Sequence, residues 1–269
     1  MPGPRRIGAI EVGFRLVRVL EAADGPMALK ELSDRAGMPP SKAYAYVASF
    51  VHEGLITQHP ETGQYGLGPF AMSIGVAALR QSDLVDLVRR EAAALSAATT
   101  SSVILSMWGN RGPTIVYRFD GKRRGPTSIR VGYVAPVWAS ATGRVFVASL
   151  PESETETLLA AEEGAGKRAA IAAECKRIRS AGFALGSDDD DLTGIAAPIR
   201  DHVGAVAAVL TLSRPFENNT LARRRKLGAI LVRSVDALSR QLGYPGTPAN
   251  APPAVKGADI RVGKVAVAN

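Results

Sequence analysis

Gly37-Met38-Pro39-Pro40-Ser41-Lys42-Ala43-Tyr44-Ala45-Tyr46-Val47-Ala48-Ser49-Phe50-Val51 is the stretch on which the reading of this chain turns. Gly37 supplies the backbone freedom of a tight turn, and Pro40 suits the first turn of a helix, where its missing N–H costs no hydrogen bond. Ala43, Val47, Phe50 and Val51 then recur at helical spacing as a buried face, until Gly54 ends the helix. The opposite face carries Ser41, Lys42, Tyr44, Ala45 and Ser49, with Tyr46 at its flank. Upstream of the turn, Leu29, Leu32 and Ala36 form a shorter amphipathic stretch. Two short helices around Gly37-Met38-Pro39 have the dimensions of a helix-turn-helix.

Working outward, Gly13, Leu16, Val17 and Leu20 mark a preceding helix that Asp24-Gly25-Pro26 stops. Behind the third helix, Leu55–Gln58 and Gln64–Leu67 read as two extended pieces around His59-Pro60-Glu61-Thr62-Gly63, which makes a hairpin and hence a wing. Phe70 to Arg80 returns to helical character, with Gln81-Ser82-Asp83 as the boundary before a second domain. The expected division is 1–68 for a winged helix-turn-helix, 69–82 for a linker helix, 83–245 for a second domain and 246–269 for a disordered Pro/Ala/Gly-rich tail.

In the second domain a helix is expected over Leu84–Ala98, then strands at Ser102–Trp108, Thr114–Asp120 and Thr127–Val131. Helices at Ala139–Leu150, Glu152–Glu163 and Lys167–Ser180 precede strands at Thr193–Arg200 and Ala205–Ser213. A last helix carries Leu227, Leu231, Val235, Leu238 and Leu242 on one stripe. Helices covering an antiparallel sheet give an α+β, sensor-like domain.

Composition narrows the function classes. With 46% hydrophobic and 22% charged residues in 269, the chain has the material for two cores, which excludes disorder, collagen and coiled coil over most of its length. The longest strongly apolar run, Val203–Leu212, is about half of the roughly 20 residues a bilayer span needs, and no signal-peptide core follows Met1–Arg6. A soluble, cytoplasmic protein without membrane attachment is expected. The formal charge of +8 invites nucleic acid, but residues 1–70 hold 7 basic and 7 acidic side chains while 71–150 hold 10 and 4. Charge alone therefore says little about DNA.

The segments Val12–Leu20, Leu29-Lys30-Glu31-Leu32, Gly37–Lys42 and Gly54–Gly68 resemble the winged helix-turn-helix of the IclR-type bacterial transcription regulators. Gly132–Gly143, Gly182-Phe183-Ala184 and Ile195-Ala196-Ala197-Pro198-Ile199-Arg200-Asp201 resemble the second domain of the same family, in the family's order and over residues 7–243. The resemblance implies a GAF-like α+β effector-binding domain, a palindromic double-stranded DNA operator, a homodimer or homotetramer, and a small carboxylic acid as effector, aromatic acids among them. It implies no catalysis and no cofactor. Phe70, Ile74 and Ala78 are the expected dimer seam.

The third helix is what such a domain inserts into the major groove, so Ser41, Lys42, Tyr44, Ala45, Tyr46 and Ser49 are the expected DNA-contacting residues, joined by Thr62, Gly63 and Gln64 at the wing tip. The family commonly has an arginine where Ala45 stands, which removes a guanidinium that would grip guanine or phosphate. An ordinary polar helix face and a plain surface turn would present the same side chains. In the second domain Ala139, Ser140, Ala141, Thr142 and Gly143 open a helix whose exposed N–H groups favour an anion, and the resemblance places the effector there. It also implies that Thr211 and Ser213, on one face of a strand, hold the ligand, and that Asp188 or Asp189 of the Asp188–Asp191 run reaches it. A solvated strand side and a solvated loop are the alternatives for these. Trp108 and Trp138 would wall an aromatic ligand or belong to the core.

No metal site is expected. Four adjacent aspartates cannot all face one ion, and His52, His59 and His202 stand apart from other ligand types. Cys175 cannot close an internal disulfide and has no nucleophile signature. The rival readings are a second domain that docks a protein, and an enzyme; the latter lacks a nucleophile elbow, a phosphate loop and a dinucleotide fingerprint.

Overall fold

The computed structural model describes residues 7–80, 83–121, 129–162, 168–186, 192–215 and 220–246. The chain divides into two compact units between Ser82 and Asp83. The first holds α1 (Gly8–Ala22), α2 (Leu29–Arg35), α3 (Pro40–His52), β1 (Ile56–Gln58), β2 (Tyr65–Leu67) and α4 (Pro69–Arg80). Leu16, Leu20, Leu32, Ala43, Val47, Ile56 and Tyr65 form its core. Each fully buried leucine, isoleucine or valine there contributes about 1.5–3 kcal/mol.

Gly37, at φ 64°, turns the chain between α2 and α3. Gly13 decides how closely α1 meets α3, since a Cβ there would stand 3.0 Å from the rings of both Phe50 and Tyr46. The hairpin pairs Ile56 with Leu67 and Gln58 with Tyr65, and an isolated bridge from Met27 to Tyr65 ties it to the chain before α2. One expectation for this unit fails: Val51 is 38% exposed rather than buried. Ala43 and Val47, one turn apart, already fill the line of contact, and Val51 extends past it near the helix end.

The second unit contains α5 (Asp83–Thr99), β3 (Ser102–Gly109), β4 (Gly112–Phe119), α6 (Ala141–Ser149), α7 (Glu152–Ala161), α8 (Arg168–Ala181), β5 (Ala184–Leu185), β6 (Leu192–Arg200), β7 (Val206–Pro215) and α9 (Leu221–Gln241). Its strands form one antiparallel sheet in the order β4-β3-β7-β6-β5. Both faces are covered, which is why the strands read as nearly continuous apolar runs rather than alternations. α5 and α9 pack on one face and α6 on the other, with α8 and α7 against α6.

Three sequence expectations change here. Ile129–Val131 is not a strand; Thr127 and Ser128 lie outside the described residues. Gly132, at φ 87°, bends the chain so that pairing with the β4 edge comes later, through Gly132 N–H to Ile115 O at 2.8 Å and Ile115 N–H to Tyr133 O at 2.9 Å. The helix expected from Ala139 begins at Ala141, because the Ser140 hydroxyl accepts from Gly143 N–H at 2.9 Å and so caps it. The short strand β5 had no signal in two residues. The aspartate run 188–191 and the tail 247–269 lie outside the described residues.

Candidate functional sites

On α3, Ser41, Lys42, Tyr44, Ala45 and Ser49 are all exposed, Tyr44 by 59%. Tyr46 is only half exposed and packs toward the core beside Gly13, which draws its ring away from the outward face. Ser49 donates to the Ala45 carbonyl at 3.1 Å, a bond within the helix. The wing tip is held by Gly63 N–H to His59 O at 2.9 Å and by Gln58 Nε2 to Gly63 O at 3.0 Å, with Gly63 at φ 67°. Thr62 and Gly63 are exposed and Gln64 half so. The unit thus presents a helix face with one cation, three exposed hydroxyls of different reach and a hairpin tip, a shape suited to a groove and its flanking phosphates.

The second site is a cavity of about 300 Å³ between the sheet and the start of α6. Alternation along the strands sends Ile104 and Ser106 of β3, Ile115 of β4, Gly194 of β6, and Thr211 and Ser213 of β7 toward it, while Val103, Leu105, Leu210 and Leu212 occupy the other face. The roof comes from Ala139, Ser140, Ala141 and Thr142, and Ile129, Tyr133, Ala135 and Pro136 of the segment before α6 complete the lining with Gly186. Walls are apolar except for hydroxyls. The Thr142 and Thr211 Oγ1 atoms lie 2.8 Å apart, a buried hydrogen bond between α6 and β7. Ser106 Oγ is buried and has no hydrogen-bond partner.

Of the expected effector residues, Ala139, Ser140, Ala141, Thr142, Thr211 and Ser213 come together around this cavity. Gly143 does not line it. Its role is close approach, since a Cβ there would stand 2.2 Å from Val137 O and 2.4 Å from Pro136 O. The free donors at the helix start are also fewer than expected. Gly143 N–H goes to Ser140, and Ala139 N–H goes to the Glu162 carboxylate at 2.8 Å. Ala141 and Thr142, in the first turn, have no carbonyl four residues back within the helix to receive their N–H groups. Asp188 and Asp189 lie outside the described residues. Trp108 and Trp138 pack against the α6 core, Trp108 at 5.3 Å between ring centroids from Phe146, and neither lines the cavity.

Sequence reasoning missed Ser106, whose even spacing from Ile104 in an apolar run was the available signal. It also missed Glu162, at the end of α7, which accepts from Val137 N–H at 2.5 Å, Trp138 N–H at 3.0 Å and Ala139 N–H and so clamps the cavity rim. Nothing in a linear pattern connects positions 24 residues apart. Among the described residues no group of three His, Cys, Asp or Glu side chains could hold a metal ion, and no helix is long and apolar enough to cross a membrane.

The two units match two family models in sequence. Residues 9–60 match the IclR helix-turn-helix domain, and residues 76–240 match the bacterial transcriptional regulator IclR C-terminal domain. The chain belongs to the IclR family. It is a DNA-binding transcription regulator with an effector-binding domain, not an enzyme. The HTH-type transcriptional regulator XynR of Escherichia coli (strain K12) is 25% identical over 248 residues, covering 89% of this chain and 98% of that one. HmgR of Pseudomonas aeruginosa is 31% identical with a TM-score of 0.57, over 90% of this chain and all of that one. An IclR homologue from Microbacterium hydrocarbonoxydans, solved in complex with 4-hydroxybenzoate, is 20% identical with a TM-score of 0.65, over 87% and 99% of the two chains. Each of the three aligns with this chain over nearly its whole length.

Proposed function

We propose that this IclR regulator binds a palindromic operator as a homodimer or a pair of dimers and is controlled by a small carboxylic acid held in the cavity at the start of α6. The observation that carries the ligand reading is the meeting of the first turn of α6 with the Thr142–Thr211 hydroxyl pair and Ser213 around a cavity whose remaining walls are mostly apolar. A carboxylate there takes hydroxyl donors and the N-terminal N–H groups of the helix, whose dipole favours negative charge, while isoleucines and Tyr133 accept an apolar body. The volume suits a molecule the size of a monocyclic acid. The 4-hydroxybenzoate bound by the relative from Microbacterium hydrocarbonoxydans has these features and is a rational first probe.

Dimerisation is supported by α4, where Phe70, Met72, Ile74 and Val76 are each about half exposed or more, with Ala78 continuing the stripe from Phe70 and Ile74. One short helix and a wing bury too little surface for a selective site, so two copies on two half-sites are needed. Control follows if the acid binds two dimer geometries unequally and thereby changes the spacing of the α3 helices.

Thermal-shift screening with 4-hydroxybenzoate, benzoate and short-chain acids, followed by calorimetry, tests the reading. Replacing both Thr211 and Ser213 by Val is expected to abolish ligand binding and the ligand's effect on DNA affinity, while DNA affinity of the free protein stays near normal. Unchanged ligand affinity in that variant puts the pocket elsewhere.

A further inference from the structure

Val137, Trp138 and Ala139 form a turn before α6, and their three successive N–H groups meet one carboxylate. Val137 N–H donates to Glu162 Oε2 at 2.5 Å, Ala139 N–H to Oε1 at 2.8 Å, and Trp138 N–H is shared between the two oxygens at 3.0 Å each. Successive N–H groups in a turn make a concavity that binds anions. Here the anion is the protein's own, carried by the residue that ends α7. Among the described residues Glu162 makes no ion pair; Arg168, the cation at the start of α8, pairs with Glu152 and Glu156 instead. Both oxygens are needed. An amide in place of the carboxylate would turn an NH2 toward the N–H of Val137 or Ala139, donor against donor. Val137 is buried, where an unpaired N–H is costly.

The same turn is the rim of the effector cavity. Pro136, Ala139 and Ser140 line that cavity, and the carbonyls of Pro136 and Val137 press on α6 at Gly143. Upstream, Ala135 N–H is tied to Pro113 O of β4 at 2.8 Å; downstream, Ser140 Oγ donates to Pro136 O at 2.6 Å. Between those anchors the three N–H groups have Glu162 as their acceptor. Glu162 is half-buried and Ala139 exposed, and Glu162 also lines a second cavity of about 690 Å³ among α6, α7 and α8. A small ion can therefore reach the concavity once the carboxylate is removed.

We infer that Glu162 is a positioning residue for the effector: its carboxylate is a built-in anion whose seat on residues 137–139 holds the rim in the form that binds the acid, and the vacated seat takes a free carboxylate. This rests on the reading of the first cavity as the effector site. Without an anion in the seat, the three N–H groups turn to water and the rim leaves its binding geometry for part of the time, which lowers affinity by the fraction lost.

Glu162→Ala and Glu162→Gln are compared with wild type on the full chain, by calorimetry with 4-hydroxybenzoate and benzoate and by melting curves, in about 0.1 M sodium formate or sodium chloride of equal ionic strength. In chloride, acid affinity is expected to fall about tenfold in both variants, as when the competent rim is populated a tenth of the time. Formate is expected to restore most of that affinity in Glu162→Ala, and to raise its melting temperature by more than that of wild type or Glu162→Gln. In wild type formate leaves acid affinity unchanged or lowers it by competing for the effector cavity, and in Glu162→Gln the amide blocks the seat. A Glu162→Ala chain that folds in formate but not in chloride also supports the seat. Wild-type acid affinity in Glu162→Gln overturns the positioning role. Loss of affinity in Glu162→Ala without rescue by formate marks a residue needed for packing alone and does the same. Binding of neither acid by wild type overturns the cavity reading, and the melting curves then decide the anion seat by themselves.

Discussion

Thr142 and Thr211, 69 positions apart, join their hydroxyls at 2.8 Å beneath the first turn of α6. The bond fastens that helix to β7 at the cavity wall, so the same pair couples packing to ligand contact. Thr211→Val leaves the Thr142 hydroxyl buried and unpaired, and about 1–3 kcal/mol of stability is expected to be lost. Thr142→Val/Thr211→Val together should cost less than the sum of the two single changes, since both partners are gone. Urea unfolding of the four proteins in a double-mutant cycle measures this; strict additivity would mean the two hydroxyls do not interact.

Gly143→Ala is a sharper perturbation. The added carbon meets the carbonyl oxygens of Val137 and Pro136, which are main-chain atoms and cannot rotate aside. Overpacking of this kind costs at least about 1–3 kcal/mol. Displacement of the 136–139 rim should also weaken ligand binding, since Pro136 and Ala139 line the cavity. A variant with wild-type melting temperature and ligand affinity would show that the rim yields freely.

On the α3 face, Tyr44→Ala should cost about 1–3 kcal/mol of specific DNA affinity if its ring or hydroxyl reads a base edge. Lys42→Ala should weaken binding to all sequences alike and reduce the slope of log affinity against log salt by about 1. Anisotropy titrations at several salt concentrations separate the two effects. Wild-type affinity in the double variant excludes this face.

Thr100 connects α5 to β3 with φ 54°, the one non-glycine residue at positive φ among the described residues. A β-branched side chain in that conformation carries strain of about 1–2 kcal/mol. Thr100→Gly relieves it but adds freedom to the unfolded chain, so a net gain of up to about 1 kcal/mol is expected. Thr100→Val keeps the branching, removes the hydroxyl that donates to Thr99 O at 2.7 Å, and should not stabilise. Paired melting curves decide.

Cys175 lies in α8 against the α6 core, and burial pushes its thiol pKa up, with nearby Arg179 opposing this only in part. The neutral thiol is favoured, so less thiolate is present at pH 8 than for an exposed cysteine, and the reactive fraction grows only as pH rises further. A chromogenic disulfide reagent is expected to label the native protein slowly and the urea-unfolded protein at once. Equal rates in both states would contradict the burial.

Much of this molecule is legible along the chain because its elements answer to local rules. Leu16 and Leu20, Ala43 and Val47, and the Leu227-to-Leu238 stripe reveal their helices by period alone, and Gly37 with Pro40 marks the joint between α2 and α3. The hairpin announces itself through Pro60 and Gly63. Where two rules met, the reading slipped by a few residues: a serine before Ala141 is both a plausible helix residue and a better cap, and the hydrogen bond to Gly143 decides for the cap.

The residues by themselves determined the order of elements, the two-domain plan, the outward face of α3 and the placing of hydroxyls at Thr142, Thr211 and Ser213 among apolar neighbours. Tertiary structure alone decided what those hydroxyls do. That Thr142 is spent on Thr211, that Glu162 takes the N–H groups of the rim, that Tyr46 and both tryptophans belong to cores, and that Ser106 is left without a partner all depend on strand register and helix docking. A local pattern states which face a side chain takes; it carries no record of which distant group will stand opposite, because that is set only when burial of the apolar faces fixes the sheet order and brings α6 and α7 over it.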